Sequence, residues 1–300
     1  MMRKLSIVLT AVALMAVMAT AAFAQPNISG LLYVTSKVTF GDETETGFGG
    51  FGRVNISGDV SENVSYYVRV QGGWGSSASG LTGTGKVNID DDPEAKEIEG
   101  TFTLQNNAVV PLAYIDVKNL LGSGSTLRIG RQSLAWYVHN EFGGLHATTE
   151  NAVSLTMSAA DNVTLRGFVT LAENPKLGAR AAFATPVGTL GVNVRSEVPG
   201  SEREIGYSVD ADLSFAGVNV NAELGQTVGS DELNIKIIGV GFDAITDATG
   251  WDNFIEYNIQ TEKWAVGISK TVYQNLDLDF TVSGGKGADT TLTTELSVSF

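Results

Sequence analysis

The sequence contains no cysteine, which excludes a disulfide scaffold, a thiolate metal site and a cysteine nucleophile. Proline is scarce, at 6 residues, and histidine scarcer, at 2. Positive charge is also short: 19 Lys and Arg face 33 Asp and Glu, a formal net charge of −14. No basic block follows Arg3 and Lys4, so the chain carries no electrostatic footprint for nucleic acid. After the first two dozen residues no apolar run approaches the ~20 residues that a membrane helix requires. Yet 43% of residues are hydrophobic, too many for a disordered chain. With 35 glycines and so few prolines, what remains is one large folded unit rich in β-structure.

The N-terminus has three parts. Arg3 and Lys4 supply a positive start, Ile7 to Met18 an apolar stretch, and Ala22-Phe23-Ala24 a small-x-small cleavage site before Gln25. This is the pattern of a secretory signal peptide, expected over residues 1–24, with 25–300 as a single mature domain. No cysteine follows the site, so a lipid-anchored lipoprotein is not expected.

The body alternates with a period of two, the signature of a sheet whose two faces meet different surroundings. Leu292, Thr294, Leu296, Val298 and Phe300 share one face; Thr291, Thr293, Glu295, Ser297 and Ser299 share the other. The same pattern recurs in Leu276 to Ser283, Ile205 to Phe215 and Thr189 to Arg195. The expected segments are 28–40, 48–60, 64–75, 106–118, 125–134, 150–159, 163–172, 177–186, 188–197, 204–215, 217–227, 232–244, 252–261, 263–272, 276–285 and 291–300. Residues 98–106 read either as a further strand or as an upper extension of the fourth. A parity slip at Ile237-Ile238 predicts a β-bulge. One set of connections is short, such as Ser61-Glu62-Asn63, Ala160-Asp161-Asn162 and Ala216-Gly217; the other set includes the long 76–97 and 135–149. Short turns at one end and longer loops at the other mark an outer-membrane barrel. The expected fold is all-β: a transmembrane antiparallel up-and-down β-barrel of sixteen strands, with fourteen as the alternative.

A soluble barrel also alternates, with its apolar face inward. The inverse arrangement fits better here. The polar face is mostly small and uncharged (Gly, Ser, Thr, Asn), and charged residues are only 17% of the chain. Aromatics gather near strand ends: Phe40, Phe48, Trp74, Trp136 and Trp264 towards the long loops, Phe215, Tyr273 and Phe300 towards the short turns. Two such girdles are expected where strands cross both headgroup layers. The expected location is therefore the bacterial outer membrane, multi-pass, with outer-membrane lipid as a partner.

Several stretches resemble the general bacterial porins. Gly52 to Val70 resembles the second and third porin strands. Ala113-Tyr114-Ile115-Asp116 followed by Leu127-Arg128-Ile129-Gly130-Arg131-Gln132 resembles the strand pair before the constriction loop. Glu141-Phe142-Gly143-Gly144 resembles that loop's P-E-F-G-G motif, with Asn140 at the proline and Leu145 where an acid often follows. Phe300, ending an alternating strand, resembles the signal read by the barrel assembly machinery. The resemblance implies a water-filled channel for ions and small hydrophilic solutes, assembled as a homotrimer, with Glu141 facing an arginine wall.

Parity then sorts the charges. Arg53, Arg69, Arg128, Arg166, Arg180 and Arg195 fall on the inward face of strands two to nine. Asp210, Asp212, Glu223, Glu256, Asp277, Asp279 and Glu295 fall on the inward face of strands ten to sixteen. Arginines would line one wall and carboxylates the facing one, creating a field across the pore. Arginine on the lipid side would cost about 2–4 kcal/mol at mid-membrane, which supports the inward assignment. Inward charges nearly balance, while Asp90-Asp91-Asp92, Glu94, Glu97 and Glu99 would draw cations to the mouth, so weak cation preference is expected. Arg131 and Lys270 have outward parity; a bulge, a snorkelled position or a subunit interface would accommodate them.

No catalytic constellation is legible. His139, His146 and Glu141 lack a third regularly spaced metal ligand and read as loop residues facing water. No G-x-S-x-G elbow occurs, and Gly83-Thr84-Gly85-Lys86 lacks the full phosphate-loop spacing. Neither enzyme, cofactor nor metal is expected. The reading that competes with a channel is a closed structural or adhesive barrel that binds partners through its loops.

Overall fold

The computed structural model describes residues 26–42, 44–76, 102–104, 109–122, 124–134, 149–197, 204–229 and 234–300. The signal segment 1–24 and Glu141 lie outside the described residues. The strands are β1 (Asn27–Phe40), β2 (Thr44–Ser61), β3 (Val64–Ser76), β4 (Val109–Lys118), β5 (Ser125–Ser133), β6 (Thr149–Ala160), β7 (Val163–Thr170) and β8 (Leu177–Thr185). They continue as β9 (Gly188–Glu197), β10 (Glu204–Phe215), β11 (Val218–Gln226), β12 (Asn234–Phe242), β13 (Asp252–Asn258), β14 (Lys263–Tyr273), β15 (Leu276–Gly285) and β16 (Ala288–Ser299). A short piece, Phe102–Leu104, pairs with the upper end of β3 directly beyond β4, so it extends β4 and adds no strand to the ring.

Every strand pairs antiparallel with its neighbours in sequence, and β1 pairs with β16 from Leu31↔Ser299 to Phe40↔Thr290. The result is a closed up-and-down barrel of 16 strands, not 14. The strands start and stop close to the segments expected from alternation, because each boundary is fixed by a turn. Asn275 (φ 59), Ala216 (φ 52) and Gly217 (φ 79) supply the left-handed conformations of two such turns. The bulge is present: Glu223 pairs with Ile237 and Leu224 with Ile235, leaving Lys236 as the extra residue.

One connection differs from expectation. Between β12 and β13 the chain forms a helix, α1 (Asp243–Thr249), where alternation had carried the strand to 244. Gly250 ends it in the left-handed region (φ 68), and its N–H bonds Thr246 O at 2.7 Å. After it, Trp251 packs against the Phe280 ring, 6.0 Å between centroids. Lys270, whose parity points outward, reaches over Trp251 and donates to Thr249 O at 3.3 Å, a cation at a helix C-terminus.

The two faces differ as the alternation requires. Along β9, Val192 and Val194 are 52% and 44% exposed, while Asn193 and Arg195, which alternate with them, are 2% and 4% exposed. Apolar side chains are thus outside and polar ones inside, the reverse of a water-soluble barrel. Phe40 and Phe48 are exposed at the loop end, and Phe215, Tyr273 and Phe300 at the turn end. Trp264 lies on the outward parity at the loop end, while Trp136 lies outside the described residues.

This sidedness is testable at one position. Val192→Arg puts a guanidinium on the outer face at mid-strand and should cost about 2–4 kcal/mol in a lipid bilayer. Urea unfolding of the barrel in vesicles measures it. An arginine tolerated without loss would mean that this face does not meet lipid.

Candidate functional site

The inner face holds the charged residues, and pairing registers decide which of them meet. On β8, β9 and β10, Arg180, Asn193 and Ser208 are register partners in a row. Asp210 lies one step along β10, opposite Gly191. A Cβ on Gly191 would collide with both the Asp210 carboxylate and the Arg180 guanidinium. Without one, Arg180 reaches across β9. Its Nη2 donates to Asp210 Oδ1 at 2.8 Å, and Nη1 pairs with Oδ2. Asn193 completes the knot, accepting from Arg180 Nη1 at 2.9 Å and donating to Asp210 Oδ2 at 2.7 Å.

A second network spans β2 to β5. Arg128 grips Asp116 with two bonds, Nε to Oδ1 at 2.7 Å and Nη2 to Oδ2 at 2.8 Å. Its guanidinium also lies 3.8 Å over the Tyr114 ring, and Tyr114 stacks on Tyr67 with centroids 5.1 Å apart. The Tyr67 hydroxyl donates to Asn55 Oδ1 at 2.6 Å and accepts from Arg69 Nη2 at 2.8 Å. Arg69 Nε donates to the same Asn55 oxygen at 2.8 Å. Further round, Gln132 is fully buried between Ser154, which donates to it at 2.6 Å, and Ala152 O, which accepts from it at 2.9 Å. Arg166 donates to Ser133 O at 3.0 Å, and Arg195 lies 5.2 Å over Phe168.

The other half of the ring carries carboxylates. Glu223 and Glu256 are buried in the wall, whereas Asp212 is exposed. Asp279 stands opposite Glu295 in register, and Thr35 donates to Glu295 at 3.4 Å. Thr271 bonds Asp277. A cavity of about 430 Å³ opens along this stretch, lined by Phe254, Ser269, Asp279, Thr281, Thr293 and Glu295. Among the described residues, no group of three or more His, Asp or Glu side chains could hold a metal ion.

All six expected arginines and all seven carboxylates of β10 to β16 sit on the inward parity. The arginines lie on β2, β3, β5, β7, β8 and β9, and the carboxylates on β10, β11, β13, β15 and β16. Arg128 and Arg180, which parity assigned to a basic wall, are each clamped by a carboxylate within two strands. Asp116, Asn55, Tyr67, Tyr114 and Asn193 form these networks; the sequence assigns none of them a site role, though all but Asn193 fall in the porin-like stretches. Parity alone places each of them inward; only the register reveals the neighbour. Arg131 is on the outer face and exposed, between Ala113 and Asn151.

The Arg180–Asp210 pair makes a sharp test, since the aspartate side chain is 1% exposed and the arginine 12%. Asp210→Leu leaves a buried guanidinium unpaired and should cost about 3–5 kcal/mol. The double variant Arg180→Met, Asp210→Leu removes both charges and should lose markedly less. Urea unfolding of the three proteins measures this, and equal losses would mean that the pair is not coupled.

No protein-family model matches the sequence, and no curated protein matches it. Solved structures do. Salmonella typhi OmpF, determined with daunomycin, superposes with a TM-score of 0.64 at 9% identity, covering 92% of this chain and 97% of that one. OprB of Pseudomonas putida, in a low-pH structure, gives 0.64 at 8% identity, covering 92% of each chain. A mutant of the Rh. blastica porin gives 0.61 at 12% identity, covering 92% of this chain and all of that one. At such identities the likeness is one of fold: this closed ring of sixteen antiparallel strands is similar in architecture to the barrels of those porins.

Proposed function

We propose that the protein is a porin of the bacterial outer membrane, forming a water-filled channel for passive diffusion of ions and small hydrophilic solutes. The observation that carries this reading is the inversion of faces in a closed barrel: exposed valines and leucines outside, charged and amide side chains inside. A closed barrel leaves no backbone edge unpaired in lipid. An inner wall of Arg, Asp, Glu, Asn and Ser is suited to hydrated solutes. In this reading residues 1–24 direct export and are removed, and Phe300 is the residue read by the assembly machinery. Three copies assemble in the membrane.

The proposed selectivity is a weak preference for cations. Along the inner wall Arg53, Arg69, Arg128, Arg166, Arg180 and Arg195 meet Asp116, Asp210, Asp212, Glu223, Glu256, Asp277, Asp279 and Glu295, and Arg195 also stands 3.6 Å from Glu197. The carboxylates are in excess, as they are in the chain as a whole. Glu141 and the acidic run from Asp90 to Glu99 would add to it from the loops.

Planar-bilayer recordings test both parts. Discrete conductance steps are expected, with a zero-current potential of the sign for cation preference. Arg53→Gln with Arg69→Gln should move that potential further the same way. The preference should fade in 1 M salt, where the Debye length is about 3 Å. Clear anion preference would overturn the selectivity, and absence of steps would favour a closed structural or adhesive barrel. A species much larger than one chain in unheated gels, collapsing on boiling, is the expected sign of the trimer.

A further inference from the structure

The stacked column on the inner wall ends in an open aromatic face. Running from β5 to β3 it reads Arg128, Tyr114, Tyr67, with the guanidinium 3.8 Å over the first ring and the two rings 15° from parallel. The next strand places Ser57 opposite Tyr67, and β1 places Asn27 opposite Ser57. Neither side chain is long enough to cover a phenol ring. Arg69 does not cover it either: it bonds the hydroxyl, and its guanidinium carbon stands 5.7 Å from the ring centroid. The far face of Tyr67 therefore borders a cavity of about 720 Å³ at the turn-end mouth, lined also by Ser57, Ser65, Asn27, Asp59 and Asp116.

Two properties of this cavity select a ligand class. The ring is held in place by Asn55 and Arg69 on its hydroxyl and by Tyr114 on its covered face, so a solute meets a preorganised platform. The charges beside it come mostly in opposite pairs, Asp116 with Arg128 and Asp59 with Lys118 at 4.0 Å. Glu62 is the one further charge in the lining, so a small ion gains little from such a nearly neutral surround. A neutral ring with an apolar face and a hydroxyl rim gains from both features: its C–H face stacks on Tyr67, and its hydroxyls meet serine, asparagine and carboxylate groups.

We propose that this cavity is a low-affinity subsite for pyranose sugars, with Tyr67 as the platform. Its size suits a mono- or disaccharide. The proposal rests on the channel reading above, which lets solutes reach the turn-end mouth.

Saturation-transfer difference NMR on the detergent-solubilised barrel, with glucose, maltose and sorbitol as probes, tests it. Transfer is expected to the ring protons of glucose and maltose, and not to sorbitol, which has the hydroxyls without the flat face. In Tyr67→Leu the maltose affinity should fall about fivefold or more, the loss of one aromatic contact. In Tyr67→Phe, which keeps the ring on Tyr114, it should stay within about twofold. Heat-modifiable gel migration confirms that each variant is a folded barrel. Equal transfer to sorbitol and glucose would overturn the proposal, as would a folded Tyr67→Leu barrel that binds maltose like the parent. The same protein in a planar bilayer separates the two readings: a barrel that conducts without transfer loses the subsite and keeps the channel, and one that binds maltose through Tyr67 without conducting keeps the subsite and loses the channel.

Discussion

The seam between the first and last strands is the constraint on which the rest depends. In lipid, an unpaired backbone amide or carbonyl costs several kcal/mol, so an open sheet of this length could not reside there. The seam closes along ten register pairs, and its terminal contact is Phe300 with Gly30. Gly30 N–H donates to Phe300 O at 2.7 Å, and Phe300 N–H to Gly30 O at 3.1 Å. The Phe300 ring lies on the outer side over Gly30, in space that any Cβ there would occupy. Phe300 and a glycine near the start of the barrel thus form one joint, with the aromatic ring left exposed on the outer face.

Closure also shapes the inner face. With the outer parity committed to apolar side chains, each charge in a strand must point inward, where the wall is crowded and partly dry. Charges there lower their energy by finding the opposite sign nearby before any field across the lumen matters. Arg180 crosses a whole strand to reach Asp210, a route that exists because Gly191 contributes no side chain. Arg128 takes the alternative of stacking on Tyr114 while gripping Asp116. The inner wall consequently carries clamped pairs, Arg195 with Glu197 at 3.6 Å among them, within a basic and an acidic half.

The period-two pattern made most of this fold legible, because in a membrane barrel the same alternation fixes both the strand and its face. The limits of β9, β10 and β15 could be read to the residue, since glycine, asparagine and proline residues bracket them in the sequence. The helix α1 was not legible. Seven residues are too few to display a 3.6-residue period, and Val240, Phe242 and Ala244 prolong the alternation into it. Gly250, its left-handed cap, was the one visible signal. The candidate site was legible as a list and not as an arrangement. Parity tells which side of the wall Arg180 is on, while its partner depends on a register set by the hairpin turns between β8, β9 and β10. Parity places the two lumenal tyrosines inward, but only the register shows that their rings stack.

Identities of 8–12% to porins of matching fold have a physical explanation in the same asymmetry. The outer positions need only be apolar and the turns only tight, so most of the chain can drift without disturbing the ring. Inner positions are constrained by one another: Gly191 by the ion pair it admits, Asn55 by the tyrosine and arginine it serves, Ser57 by the ring it leaves uncovered. Each of these small residues shapes the space that a solute would meet. Any solute preference of this barrel is therefore to be sought in such local groupings on its inner wall, which the fold it shares with those porins leaves free to vary.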